Sequence, residues 1–201
     1  TYIWTDTSLF TMRFIGQPLT FGFQQVGTNC GLIGQNAALE VDGAAYWLSE
    51  NGFFRYSGSL ETMTCLVEDF VYNDLNTTAN QLINVGLNNL FGEITWFYCT
   101  ESSTVVNRCV TYNYMDSSPQ RPVWTTGTLN RGAWQDSSVF GLPHATFFNA
   151  GDDASFDVVG NTEGSTIYFE HEKGTDQTLA NGVTAITSNI ESGDFDITQA
   201  R

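Results

Sequence analysis

The sequence predicts an all-β fold, mainly antiparallel, built from β-propeller-like blades with a short helical insert. Three observations carry that expectation. Asp42-Gly43 and Asn51-Gly52 separate apolar runs, and Asp-Gly and Asn-Gly supply the positive φ that tight hairpins require. Groups of strand-like runs, each closing with an aromatic, recur at roughly 40–50 residue spacing, a propeller-like period; a β-sandwich would show similar strands with less grouping. The chain holds 15 Phe, 8 Tyr and 5 Trp but only 14% charged residues, so there is ample core material and a surface rich in Asn, Gln, Ser, Thr and Gly.

From Tyr2 to Phe23 apolar and polar residues alternate, reading as a hairpin, a turn at Pro18 and a strand over Thr20–Val26. A Gly/Asn-rich connector (27–36) follows. Ala38–Gly58 then reads as three antiparallel strands. From Thr64 the texture changes: Leu66, Val67, Phe70, Val71 and Leu75 recur at helical spacing, with Glu68 and Asp69 in the first turn. Thr64 is the expected cap, and the insert spans about 64–82, broken at Asn73–Thr78. Strands resume at Gln81–Leu87 and Glu93–Cys99, with Arg108–Tyr114 and Val123–Gly127 completing a second three-strand unit. A third begins at Ala145–Phe148, with turns at 149–154 and 160–164 and a strand over Ser165–Glu172. Val183–Ile190 is the last expected strand. Thr1–Trp4 already reads as the inside of a strand, so residues 1–201 are expected to be a single region of a larger β-propeller protein.

The net charge of −15, with Lys173 the sole lysine, repels the phosphate backbone and disfavours a grip on DNA or on an anionic membrane. The same charge suits a passage through which DNA slides without adhering. It also suits plain solubility. Four cysteines are too few for a disulfide scaffold. Cys30 and Cys65 read as small buried hydrophobes. Cys99 and Cys109 flank a polar loop, where opposed strand positions would permit a bridge or two facing thiols. No CxxC pair is present, so a zinc site is not expected.

The phrases VDGAAYWLSENGFFRYSGSLETMTC, VEDFVYNDLN, GEITWFYC, CVTYNYMDSSPQRPVWTTGTLNRGAWQDS and STIYFEHEKGT, in that order, resemble the propeller region of the tail nozzle (tail tube or hub) proteins of short-tailed bacteriophages. The N-terminal WTDTSLFTMRFIGQPLTFGFQQVG fits the same pattern, so the resemblance runs over nearly the whole chain. It implies a structural, non-enzymatic virion protein of the tail, assembled in the host cytoplasm. It implies a homo-oligomer, usually a sixfold ring beneath portal and adaptor, enclosing the channel through which DNA leaves. Other tail proteins and the host envelope are implied partners. No catalytic, cofactor or metal residues carry over. The matching positions are read as turn and core residues: Asp42, Gly43, Trp47, Gly52, Tyr56, Trp96, Tyr112, Tyr114, Trp124, Gly127, Trp134, Tyr168, Glu170, His171 and Glu172.

Chemistry-bearing clusters are few. On a continuous strand Glu170 and Glu172 would share a face about 7 Å apart, within the range of inverting glycosidases, with His171 opposite. Any E-x-E strand has that geometry, so a solvated face or subunit contact is the expectation. His144, after Pro143, reads as a structural histidine. Neither a G-x-S-x-G elbow nor a phosphate-binding glycine loop is present. Asp152, Asp153 and Asp157, and Asp194 with Asp196, are acidic turns without the calcium-loop pattern. Asn76-Thr77-Thr78 is a glycosylation sequon read as a loop or helix start. The aromatics leave one alternative of another class, a carbohydrate-recognising receptor-binding module of a virion.

Overall fold

The computed structural model describes residues 1–136, 141–148 and 164–174, and the backbone of two strands at 176–179 and 182–185. The fold is all-β and antiparallel within each sheet. The first sheet holds β1 (Tyr2–Trp4), β2 (Ser8–Phe14) and β3 (Phe21–Thr28), in that order, with a register shift between Leu9 and Phe10. The second is a four-stranded meander of β4 (Ala38–Val41), β5 (Ala44–Ser49), β6 (Gly52–Tyr56) and β7 (Leu60–Thr62). The third repeats that plan with β8 (Asn84–Asn88), β9 (Glu93–Tyr98), β10 (Arg108–Asn113) and β11 (Trp124–Gly127). The fourth comprises β12 (Trp134–Gln135), β13 (His144–Phe148) and β14 (Thr166–Glu170). A further hairpin pairs β15 (Asp176–Leu179) with β16 (Gly182–Ala185).

Local chemistry explains the meanders. Asp42 (φ 51°) and Gly43 (φ 75°) both take left-handed backbone between β4 and β5, the conformation that a two-residue hairpin matched to strand twist demands. Gly52 opens β6 at φ 125°. The two middle sheets are longer than the three strands expected, because β7 is a short, polar Leu-Glu-Thr edge with little apolar signal and β8 is the leading strand of the third sheet.

The sheets stack face to face in chain order. Strand alternation divides β5 and β6 between two cores. Ala45, Trp47, Phe54 and Tyr56 meet Leu9, Cys30, Tyr2 and Trp4 of the preceding unit. Tyr46, Leu48 and Phe53 meet Ile94, Trp96, Tyr98 and Val110 of the following sheet. On the reverse side of β9 and β10, Phe97 and Cys109 pack with Trp134 of the fourth sheet. Trp47, Trp96, Tyr98, Phe53 and Phe97 are fully buried, and each such side chain contributes about 2–3 kcal/mol by leaving water.

Each interface also carries an indole donor. Trp47 Nε1 donates to the carbonyl of Cys30 (2.8 Å), Trp96 Nε1 to Ala37 (2.9 Å) and Trp134 Nε1 to Leu87 (2.8 Å). In every case the tryptophan reaches back to the unit before its own. The lead strands β4 and β8 approach one another, and Asn36 and Asn84 form a parallel bridge there.

The helical insert is smaller than its periodicity suggested. It consists of α1 (Glu68–Tyr72) and a 3₁₀ turn at Thr77–Leu82, interrupted where the sequence placed the break. Thr64 is not the cap: Val67 occupies that position without a side-chain bond, and the Thr64 carbonyl instead accepts Trp124 Nε1 (2.8 Å). Five residues cannot sustain a helix alone. This one is held by buried Val71 and by the Tyr72 hydroxyl, which donates to Ser49 O and accepts from Gly52 N. Leu66 and Phe70, counted in the helical stripe, are exposed.

Candidate functional site

β14 ends at Glu170, and this corrects the expected strand over Ser165–Glu172. His171 N donates to Pro143 O (2.8 Å), and Glu172 turns into left-handed backbone at φ 60°. The two carboxylates therefore do not share a strand face. Glu170 pairs with Lys173, while Glu172 Oε1 accepts from Asn88 Nδ2 (2.9 Å). Glu172 also lies near Glu93, whose carboxyl is pushed up by burial and then by that neighbouring charge.

His171 is drawn inward. Its ring packs on Trp134 (centroids 4.6 Å) and its Nε2 accepts from Arg131 Nε (2.9 Å). Burial, the Arg131 guanidinium and His144 hold it down at about 4, so it is a neutral acceptor at neutral pH. Arg131 is 6% exposed, lies over the Phe169 ring (4.7 Å) and also donates to Asn130 O. Burial lowers its pKa to about 10. Nothing in the local sequence marks this buried cation beyond its rarity, as one of seven Lys and Arg in the chain. His144 is buried, with Nδ1 2.9 Å from Leu142 O and its ring stacked on Tyr168 (5.0 Å).

The four cysteines are free thiols. Cys109 lies opposite Phe97 in the ladder and Cys99 falls beyond the end of β9, so the two are not the opposed pair that the sequence allowed. Both lie in one apolar cluster, where burial raises each thiol to about 11; Cys65 rises to about 12, also by burial. Asn76 accepts from Thr78 N and Oγ1 and donates to Ser103 O (2.8 Å), so the sequon asparagine caps the 3₁₀ turn. Asp152, Asp153, Asp157, Asp194 and Asp196 lie outside the described residues, as do 149–163 and 186–190 of the expected turns and last strand. Among the described residues no three His, Cys, Asp or Glu side chains gather where they could hold a metal ion.

Two of the concave surfaces among the described residues bear on function; another, of about 330 Å³, lies between the first and second sheets beside Tyr2, Arg13 and Tyr56. A groove of about 300 Å³ runs between the second and third sheets, lined by Tyr46, Arg55, Glu61, Tyr112, Tyr114 and Ser117 among others. The Tyr46 and Tyr112 rings lie 6.2 Å apart. Arg55 Nε donates to the Tyr46 hydroxyl (3.2 Å) and its Nη1 to Glu61 Oε2 (3.0 Å). The second is a cleft of about 510 Å³ beside the lead strands, lined by Gln35, Asn36, Gln81, Asn84, Gly132 and Trp134 among others. Among its lining residues Asn84 has a buried amide oxygen without a hydrogen-bond partner, as Asn80 and Asn88 have elsewhere in the same segment. Asn84 falls in the strand expected over Gln81–Leu87 and Asn80 in the helical insert expected over about 64–82; the signal available is Asn at both ends of the short apolar run Asn84-Val-Gly-Leu-Asn88.

Neither surface brings together a nucleophile, a base and an oxyanion donor, or an acid and base across an open site. What they offer is amide, hydroxyl and aromatic contact. Compared with protein-family models and with curated protein sequences, the chain matches none.

Proposed function

We propose that the chain is a non-enzymatic wall segment of a phage tail nozzle, its sheets being blades of a β-propeller, with copies joined in a ring around the channel through which DNA is ejected. The observation that carries this is the two-faced burial of the second and third sheets. A sandwich buries one face of each sheet, whereas successive blades of a propeller bury both. The parallel approach of β4 and β8 agrees, since lead strands of adjacent blades run side by side about a propeller axis. The charge of −15 supports the electrostatic half of the mechanism, because carboxylates on a channel wall repel phosphate and keep DNA from adhering. Packed meanders stapled by indole donors supply the stiffness. Adaptor and other tail proteins are the remaining partners of this reading, with the host envelope at the far end.

The test is negative-stain electron microscopy and mass photometry of the purified chain. Rings with a central opening, at masses that are multiples of 22.2 kDa, are expected. A species that stays monomeric at micromolar concentration refutes the ring.

The groove at Tyr46 and Tyr112 favours a second reading, recognition of a host glycan. Tyrosine faces beside an Arg–Glu pair suit stacking on a sugar ring and bonding to its hydroxyls. Trp124 lies 4.7 Å from Tyr112, so saturable quenching of tryptophan emission by host polysaccharide, lost in Tyr112→Ala, would establish it.

A further inference from the structure

Two acidic side chains from different sheets meet at one end of the third sheet. Asn88 and Glu93 are directly opposed where β8 turns into β9, and opposed residues of an antiparallel ladder share a face. That face is the one covered by the fourth sheet, because Trp134 rests on Gly86, two residues before Asn88. From the fourth sheet comes Glu172, whose Oε1 accepts from Asn88 Nδ2 (2.9 Å). Glu172 reaches this place in left-handed backbone (φ 60°), just beyond the end of β14. Glu93 and Glu172 thus flank a single amide.

The cluster is short of donors and of positive charge. Glu93 is half-buried and makes no hydrogen bond or ion pair among the described residues. Burial, and then the charge of Glu172, push its carboxyl up. Lys173, next to Glu172 in the chain, is paired with Glu170 instead. Asn88 is 5% exposed, its side chain turned into the two acids, and its Oδ1 is buried without a partner. An enclosed acceptor left unpaired is costly, and ionised carboxylates have no proton to give it. A cation satisfies all three groups at once. Oxygen is the only ligand type present, from two carboxylates and one amide. That set suits a hard ion and not zinc or copper, which favour imidazole or thiolate. Two negative charges match a divalent ion. An irregular set drawn from two sheets suits calcium, whose coordination is flexible, over magnesium, which demands near-ideal octahedral geometry.

We propose that Glu93, Glu172 and the Asn88 amide oxygen hold a calcium ion between the third and fourth sheets, with water completing its coordination. Three side chains are few ligands for calcium, so a dissociation constant of about 10⁻⁴–10⁻³ M is expected. Bound there, the ion neutralises the repulsion between the two carboxylates and ties the segment after β14 to the third sheet. The site does not depend on the ring assembly proposed above, so either can fail without the other.

The experiment compares the full chain with E93Q and E172Q, and with E40Q, which removes one exposed carboxylate from β4 as a charge-matched control. Glutamine keeps the shape of each side chain, and near-ultraviolet circular dichroism checks that all four proteins fold alike. Thermal unfolding is measured in calcium chloride and in sodium chloride of matched ionic strength, after chelation. Calcium at about ten times its dissociation constant should raise the melting temperature of the parent and of E40Q by about 3–6 °C, and that of E93Q and E172Q by less than about 1 °C. Terbium is the direct probe of the site. The Trp134 ring rests on Gly86, about 7 Å along the strand from Asn88, so it should sensitise terbium emission. Calcium should displace that signal, and E93Q and E172Q should weaken terbium binding about tenfold or more. Absence of a calcium shift in the parent overturns the inference, including where E93Q or E172Q is itself more stable than the parent, since the two acids then share a proton instead. Equal calcium shifts in the parent and in folded E93Q and E172Q assign the ion to other carboxylates and overturn it as well.

Discussion

Gly86 allows the stacking of the third and fourth sheets to be tested one atom at a time. It lies in the middle of β8, and the Trp134 indole rests directly on its backbone. A Cβ added there would stand 2.6 Å from Trp134 Cγ and Cδ2 and 2.9 Å from Cδ1. The ring has little freedom to retreat: Nε1 is bound to Leu87 O, one face stacks near Phe97 (5.6 Å) and His171 packs alongside. Gly86→Ala should therefore destabilise by about 1–3 kcal/mol through overpacking. Trp134→Ala alone should cost about 3 kcal/mol, the low end for such a loss because the side chain is half-buried. Once the ring is gone, the same glycine change should be neutral or stabilising by up to about 1 kcal/mol, because alanine restricts the unfolded strand. The coupling is then about 2 kcal/mol, corresponding to roughly 4–8 °C in melting temperature for a chain of this length. Urea unfolding of the four proteins measures it. A Gly86→Ala penalty that is the same with and without Trp134 would refute the packing argument, and with it the claim that these sheets are stacked through an indole.

Three further outcomes follow from the same contacts. Trp96→Phe removes the indole donor to the Ala37 carbonyl, which Leu48 N (3.2 Å) still serves, and shrinks a fully buried ring, so urea unfolding should show a loss of about 1–2 kcal/mol. His171 is held at about 4 in the fold against an ordinary 6.5, so unfolding takes up a proton as pH falls below 6.5; stability should decline from pH 6.5 toward 4, and His171→Gln should flatten that slope in urea midpoints taken at pH 7 and 5. With Cys65, Cys99 and Cys109 all held well above their usual thiol range, labelling by a thiol reagent at pH 8 should be slow in the native protein and complete in guanidinium; fast native labelling at Cys99 or Cys109 would contradict their burial, whereas Cys65 is half-buried.

The parts of this fold that were legible in the sequence are the local ones. Asp42-Gly43 fixed a hairpin because its left-handed backbone is written in two adjacent residues, and the interruption between α1 and the 3₁₀ turn sat in a polar Asn-rich run. The errors arose where a residue obeys a distant partner. Glu172 completes an apparent strand by alternation, yet the chain bends at His171 because Pro143 accepts its amide and Asn88 holds the following carboxylate. Thr64 has the right side chain for a helix cap, but the helix begins only after Val67, three residues on, and the Thr64 carbonyl accepts from Trp124, sixty residues away. The same distinction bears on function. Trp47, Trp96 and Trp134 were read as core, and each is also the donor that fastens one sheet to the unit before it. Trp47 and Trp96 have the indole N–H consumed and the ring fully covered, so both are lost to ligand recognition, while half-buried Trp134 keeps part of its ring at the cleft. A glycan contact then falls on Tyr46, Tyr112 and Tyr114 at the groove, or on the part of the Trp134 ring that lines the cleft.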